Sequence, residues 1–171
     1  MRRSLSIPMA AVMFASLAGI ATLGRVMADD KTDYTKVTPV DLEKQTPKGK
    51  LSNPYKDTQA DIAAQGETLF RSYACSGCHG GTGGGGMCPP VTNDTWVYGG
   101  DDDTLFRLVT LGSDSLQKEG YTRTGHENVV GPMPPMGTIV KNADDLWKMI
   151  TFIRAHYDGD PSYKYGTPKA P

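Results

Sequence analysis

Two thiols and an imidazole fall within five consecutive positions, Cys75-Ser76-Gly77-Cys78-His79. Sulfurs at that spacing can each add to one vinyl group of the same porphyrin. The adjacent imidazole is then held beneath the iron as an axial nitrogen ligand. A group fixed by two thioether bonds cannot dissociate, which suits a protein that leaves the cytosol. Two other chemistries use a Cys-x-x-Cys pair. A redox dithiol sits in a βαβ setting and needs no neighbouring His. A structural zinc needs two further ligands, and Cys88 with His126 or His156 makes an irregular set. The pentapeptide occurs once. The expectation is therefore one covalently bound haem c, with Cys75 and Cys78 as attachment thiols and His79 as an iron ligand.

An imidazole on one face of the iron leaves the other face to be filled. Gly131-Pro132-Met133-Pro134-Pro135-Met136-Gly137 offers two thioethers. A thioether is a soft ligand that favours the reduced iron. The flanking prolines lower the entropy lost in holding the sulfur in place. Met133 is the preferred second ligand and Met136 the alternative. The plainer reading makes both apolar filler in a loop over the ring. His126 lies in a polar loop and would serve only a bis-His site, and His156 reads as a helix-end dipole partner. Asp101-Asp102-Asp103 could hold a cation, but reads more simply as a charged helix start. Gly80 to Gly86 reads as a flexible loop. No P-loop Lys or following helix supports a phosphate site there. Cys88 is the leftover thiol, read as free and poorly ordered, with an intermolecular disulfide as the alternative.

These residues need elements to position them. Apolar side chains at helical spacing (Ile62, Leu69, Phe70, Tyr73) predict a helix from Asp57 to Ala74 running into the thiol motif. Thr58 is its candidate N-cap. Gly66 inside it costs helix stability and wants a packing reason. Leu105, Phe106, Leu108 and Val109 predict a short helix from Asp103 to Thr110, with Gly112 as a stop. A third runs from Asn142 to Tyr157, with Asn142 as cap, Asp144 and Asp145 at its start, and Arg154 and His156 favouring its C-terminal dipole. Segments 29–56 and 158–171 contain six prolines between them and read as extended arms that either wrap the domain or stay partly disordered, with Tyr163 and Tyr165 favouring docking.

The 171-residue chain has 20 Gly and 12 Pro, which predicts long loops, and a formal charge of −1, which gives nucleic acid no basic surface. Arg2 and Arg3, an apolar run from Ile7 to Leu23, and Val26-Met27-Ala28 before Asp29-Asp30 read as a signal peptide over residues 1–28, with no stable membrane insertion. Export places the thiols in an oxidising compartment, and the expected location is the periplasm.

Over residues 58–157 the chain resembles the class I cytochromes c. The resemblance implies an all-α fold, with helices around one covalent haem, long loops and extended terminal arms at 29–57 and 158–171. It assigns Gly66 and Phe70 to a close crossing with the last helix, whose aromatic is Phe152 or Tyr157. It implies that Pro89, or alternatively Pro90, presents its carbonyl to the ring N–H of His79. Met133-Pro134-Pro135 resembles the Met-Pro-x ligand strings of small bacterial cytochromes. A finer likeness is to the cytochrome cL family, periplasmic electron acceptors of PQQ-dependent methanol dehydrogenases. It rests on the long N-terminal arm, Cys75-Ser76-Gly77-Cys78-His79-Gly80 and Asn93-Asp94-Thr95-Trp96-Val97-Tyr98. The Gly-Pro-Met string and Phe152-Ile153-Arg154-Ala155-His156-Tyr157 with Gly159-Asp160-Pro161 add to it. The Gly-rich, Cys-containing loop departs from the calcium-enzyme partner and is closer to the variant serving the lanthanide-dependent enzyme. The resemblance implies an electron-transfer protein rather than an enzyme, with methanol dehydrogenase as donor and a second cytochrome c or an oxidase as acceptor. The alternatives are a general periplasmic carrier for another dehydrogenase, and a gas-binding or peroxide-reducing haem protein with an open iron position.

Overall fold

Each regular element among the described residues is helical. A computed structural model describes residues 32–92, 96–125 and 131–166. The expected signal peptide, His126 and Asn93 to Thr95 lie outside the described residues. Five α-helices follow in order: α1 Pro39–Gln45, α2 Ala60–Ser72, α3 Cys75–His79, α4 Asp102–Lys118 and α5 Ala143–Ala155. The all-α class I cytochrome c architecture read from the sequence is the one observed.

The frame is the crossing of α2 and α5. Gly66 is buried at the contact, where an added Cβ would overlap the Lys148 carbonyl and come within 2.9 Å of Phe152 Cβ. Four residues on, Phe70 meets Phe152 with ring centroids 5.4 Å apart. The mid-helix glycine thus has the packing reason that it wanted, and Phe152 is the aromatic partner. Tyr157 instead stacks on Trp96 at 5.2 Å. Phe106 from α4 closes the core against Trp147 at 4.4 Å, and both are fully buried.

Helix ends follow local chemistry. Asn142 Oδ1 accepts from the Asp145 amide at 2.8 Å, as its type predicts. α2 starts later than expected, with Gln59 rather than Thr58 at the N-cap position and no side-chain cap. The first helical segment of α4 stops at Gly112 as expected, where the backbone is non-helical (φ 75°, ψ 164°), and a second segment runs on from the kink to Lys118. Glycine adopts this backbone at no steric cost, so it joins the two segments at an angle.

The N-terminal arm is not simply extended. Thr38 Oγ1 accepts from the Asp41 amide at 3.1 Å and Pro39 occupies the first turn, which nucleates α1. The carbonyls of Val37 and Tyr34 accept from the Ala143 and Asp144 amides at 2.8 and 3.2 Å, capping α5 from outside. Arg107 of α4, 4% exposed, pairs with Glu43 and Asp103 and donates to the Thr46 carbonyl at 2.6 Å. Asp103 also accepts from the Leu51 amide at 3.1 Å and the Tyr121 hydroxyl at 2.5 Å. The aspartate triplet is structural throughout, since Asp101 caps α4 and Asp102 binds Arg154 and the Asn53 amide.

Arg154 lies in the last turn of α5 as expected, and it is also 1% exposed and turned inward to Asp102 and the Gly100 carbonyl. The Tyr165 ring covers its guanidinium at 4.8 Å. A 3-10 turn at Pro161–Tyr163 and an ion pair of Lys164 with Asp57 at 2.8 Å dock the described part of the C-terminal arm on the domain, the wrapping alternative.

Candidate haem-binding site

α2 ends at Tyr73, and Ala74 takes a left-handed backbone (φ 61°) before α3 begins. Such a backbone costs a non-glycine residue about 1–2 kcal/mol. It redirects the chain so that Cys75, Cys78 and His79 share one short helix beside the end of α2. Both thiols are free and half-buried. Burial pushes the Cys75 thiol above its ordinary range, which keeps it protonated.

The glycine run behaves differently from a slack linker. It coils back on the end of α3 through main-chain bonds. The His79 carbonyl accepts from the Gly85 amide at 2.8 Å, and the Cys78 carbonyl from the Cys88 amide at 3.0 Å. Gly80 has φ 81°, and a side chain there would overlap the Gly85 carbonyl. The coil ends by placing the Pro89 carbonyl 2.8 Å from His79 Nδ1. An N–H at Nδ1 donates to that carbonyl and leaves Nε2 with its lone pair. Of the two prolines, Pro89 makes the contact. Cys88 is a free thiol, as expected, and its amide is tied to the Cys78 carbonyl of α3.

The methionine string lies along α4 and is held by a set of main-chain bonds. The Met136 and Gly137 amides donate to the Val109 and Thr110 carbonyls at 2.9 and 3.1 Å. The Ser113 amide donates to the Met133 carbonyl at 3.0 Å, and the Met133 amide donates to Ser113 Oγ at 3.0 Å. The loop approaches so closely at the kink that a Cβ on Gly112 would come within 2.7 Å of the Met133 carbonyl oxygen. A Cβ on Gly137 would overlap Thr110 and come within 2.9 Å of Val40 of α1. Both methionines are half-buried. His156, exposed at the end of α5, has Nδ1 3.0 Å from the Phe152 carbonyl, in keeping with a surface role. Sequence reasoning missed Ser113. A serine after a helix-bending glycine gives no periodic or motif signal, and only its partner in space reveals it.

The residues present fit a covalently held haem. Two thiols lie one helical turn apart, and the adjacent imidazole is fixed through one nitrogen with the other uncommitted. Leu69, Val91, Val109 and Met136 stand half-buried against the core and offer apolar surface for a large flat ring.

The family model for cytochrome C oxidase, cbb3-type, subunit III matches residues 61–153. The chain belongs to this family. It is a cytochrome c, an electron-transfer protein. Among curated relatives, the Cbb3-type cytochrome c oxidase subunit CcoP of Azospirillum brasilense is 33% identical over 69 residues, 36% of this chain and 23% of that protein. CcoP of Rubrivivax gelatinosus is 30% identical over 99 residues, 57% of this chain and 26% of that protein. This cytochrome thus spans about a quarter of the length of those relatives. Among solved structures, cytochrome cL from Hyphomicrobium denitrificans superposes with a TM-score of 0.50 at 25% identity, over 77% of this chain and 66% of that one. Cytochrome cL from the marine methylotroph Methylophaga aminisulfidivorans shares the fold, with a TM-score of 0.51 at 23% identity over 84% of this chain and 77% of that one.

Proposed function

We propose that this cytochrome c is a periplasmic, monohaem electron carrier that takes single electrons from a PQQ-dependent methanol dehydrogenase and gives them to a second cytochrome c or an oxidase. The reading includes a signal peptide over residues 1–28, with residues 58–157 as the haem domain. The observation that carries the redox part is the His79 imidazole, fixed by Pro89 beside two free thiols. The donor assignment is supported by the cytochrome cL likeness of the fold. Among the described residues no helix is long and apolar enough to cross a membrane.

A haem bound here supplies a one-electron iron couple. The protein's part is to hold and tune it. Cys75 and Cys78 anchor the ring. Pro89 orients His79 and makes its free nitrogen a better donor. Met133, with Met136 as alternative, supplies the soft second ligand that raises the potential.

Rapid mixing of the oxidised, haem-loaded protein with alcohol-reduced quinoprotein methanol dehydrogenase tests the donor. Fast, saturable haem reduction is expected. No reduction, with an oxidase still drawing electrons from the protein, would replace this donor with another dehydrogenase. Carbon monoxide binding to the reduced protein at neutral pH would instead favour a gas-binding haem with an open position.

A further inference from the structure

We propose that Ser113 is a positioning residue for the methionine ligand, acting as a two-point clamp on the backbone of Met133. This rests on Met133 being the second iron ligand. Ser113 is 6% exposed, and it uses two groups on one neighbour. Its N–H donates to the Met133 carbonyl and its Oγ accepts from the Met133 N–H, both at 3.0 Å. With both main-chain groups of Met133 tied to one residue, the Cα of the ligand is fixed on α4. Only the side-chain torsions remain free.

The kink creates this arrangement. In an unbroken helix the Ser113 amide would bond four residues back within α4. The positive φ of Gly112 turns it outward to the loop, and the missing side chain of Gly112 lets the Met133 carbonyl come close. Gly112 and Ser113 therefore act together, one bending the helix and the other holding what docks on the bend. A buried hydroxyl with a bonding partner is also the stable state for that group. Met136 is held as well, through its amide to Val109 and its carbonyl to Val140, at 2.9 Å each. Those contacts are main chain to main chain, so no side chain stands behind Met136 as Ser113 stands behind Met133.

The consequence is kinetic and thermodynamic resistance to loss of the methionine. An external ligand can reach the iron only when the thioether swings away. Retracting the loop requires breaking the clamp.

The test uses haem-loaded Ser113→Ala, Ser113→Thr, Met133→Ala and Met136→Ala. Imidazole is titrated into the ferric proteins, and the weak far-red band of methionine-ligated ferric iron is followed. Ser113→Ala should bind imidazole about five-fold more tightly, the factor that corresponds to one neutral hydrogen bond. Ser113→Thr keeps a hydroxyl and should behave as the parent. Met133→Ala should lose the band and Met136→Ala keep it. A merely structural Ser113 would lower the unfolding midpoint and leave imidazole affinity unchanged. That result, with the band lost only in Met133→Ala, would overturn the clamp while sparing the ligand assignment. Loss of the band only in Met136→Ala would overturn the ligand assignment, and the clamp's function with it.

Discussion

Gly66 on α2 lies directly against the main chain of Lys148 on α5, so close that a single methyl group would overlap the carbonyl. The obstacle is backbone and cannot rotate away. Replacement by Ala improves intrinsic helix propensity by about 1 kcal/mol, yet forces the helices apart at a typical cost of 1–3 kcal/mol or more. With the obstacle being backbone, the upper end of that range applies, and Gly66→Ala should lose up to about 2 kcal/mol of stability net. Denaturant unfolding of the haem-loaded protein measures it, and an unchanged midpoint would refute the close crossing.

Asp103 should contribute stability that disappears in acid. Burial works to raise its pKa, but the Tyr121 hydroxyl, backbone amides including that of Leu51, and Arg107 together outweigh it. The carboxyl sits below its usual value. A depressed carboxyl stabilises the fold above its unfolded pKa of 3.8 and loses that contribution as pH falls below it. Glu43 works in the opposite sense, since burial pushes it up and its proton uptake favours the folded state. Asp103→Asn should flatten the fall in melting temperature below about pH 4 and lower stability at pH 7. A variant whose acid limb matches the parent would rule this role out.

The elements legible in sequence were those whose signals are local. Periodicity showed α2 and α5, the Asn142 cap was correct, and Gly66 announced itself by being in the wrong place for a helix. α1 was also written there, in Thr38-Pro39-Val40-Asp41, a cap followed by a first-turn proline and an acid. The proline-rich setting hid it. Gly112 marked the end of a helical segment as its type predicts, while the second segment beyond it and the loop docked on the break gave no such signal. Arg154 was legible as a basic residue of the last turn, but not its burial, which depends on Asp102, fifty-two residues away, and on the Tyr165 ring. Of the candidate site, Pro89 came only from the family resemblance, while the thiols, His79 and the methionine loop stood out by type and spacing. Ser113 did not, because its meaning comes from a loop that follows it by twenty residues.

Electron transfer to and from this protein should depend weakly on salt. Residues 74–92 and 131–140 contain no Asp, Glu, Lys or Arg, and both segments carry exposed apolar side chains, Met87 at 65% and Ile139 at 57%. An uncharged contact gains little from long-range steering. The second-order rate with its donor should change less than about two-fold between low and near-molar salt. A steep decline would point to a charged docking face.

Cys88 should be the one alkylatable thiol of the haem-loaded protein, and a slow one. Burial raises its pKa, which lowers the thiolate fraction at neutral pH. Iodoacetamide should add a single carbamidomethyl group per chain, at Cys88, with a rate that climbs well above pH 8.5. Three modified cysteines would mean that Cys75 and Cys78 carry no thioether bonds.

The caps that Tyr34 and Val37 place on the start of α5 have a temporal meaning. They join a segment preceding the Cys75-Cys78 pair to a helix that follows it, so the haem motif lies between two halves of one fastener. Loop-closure entropy is expected to make so distant a pairing form late. Seating of the arm then marks the end of assembly, and protection of the Ala143 amide from exchange reports that the protein is finished.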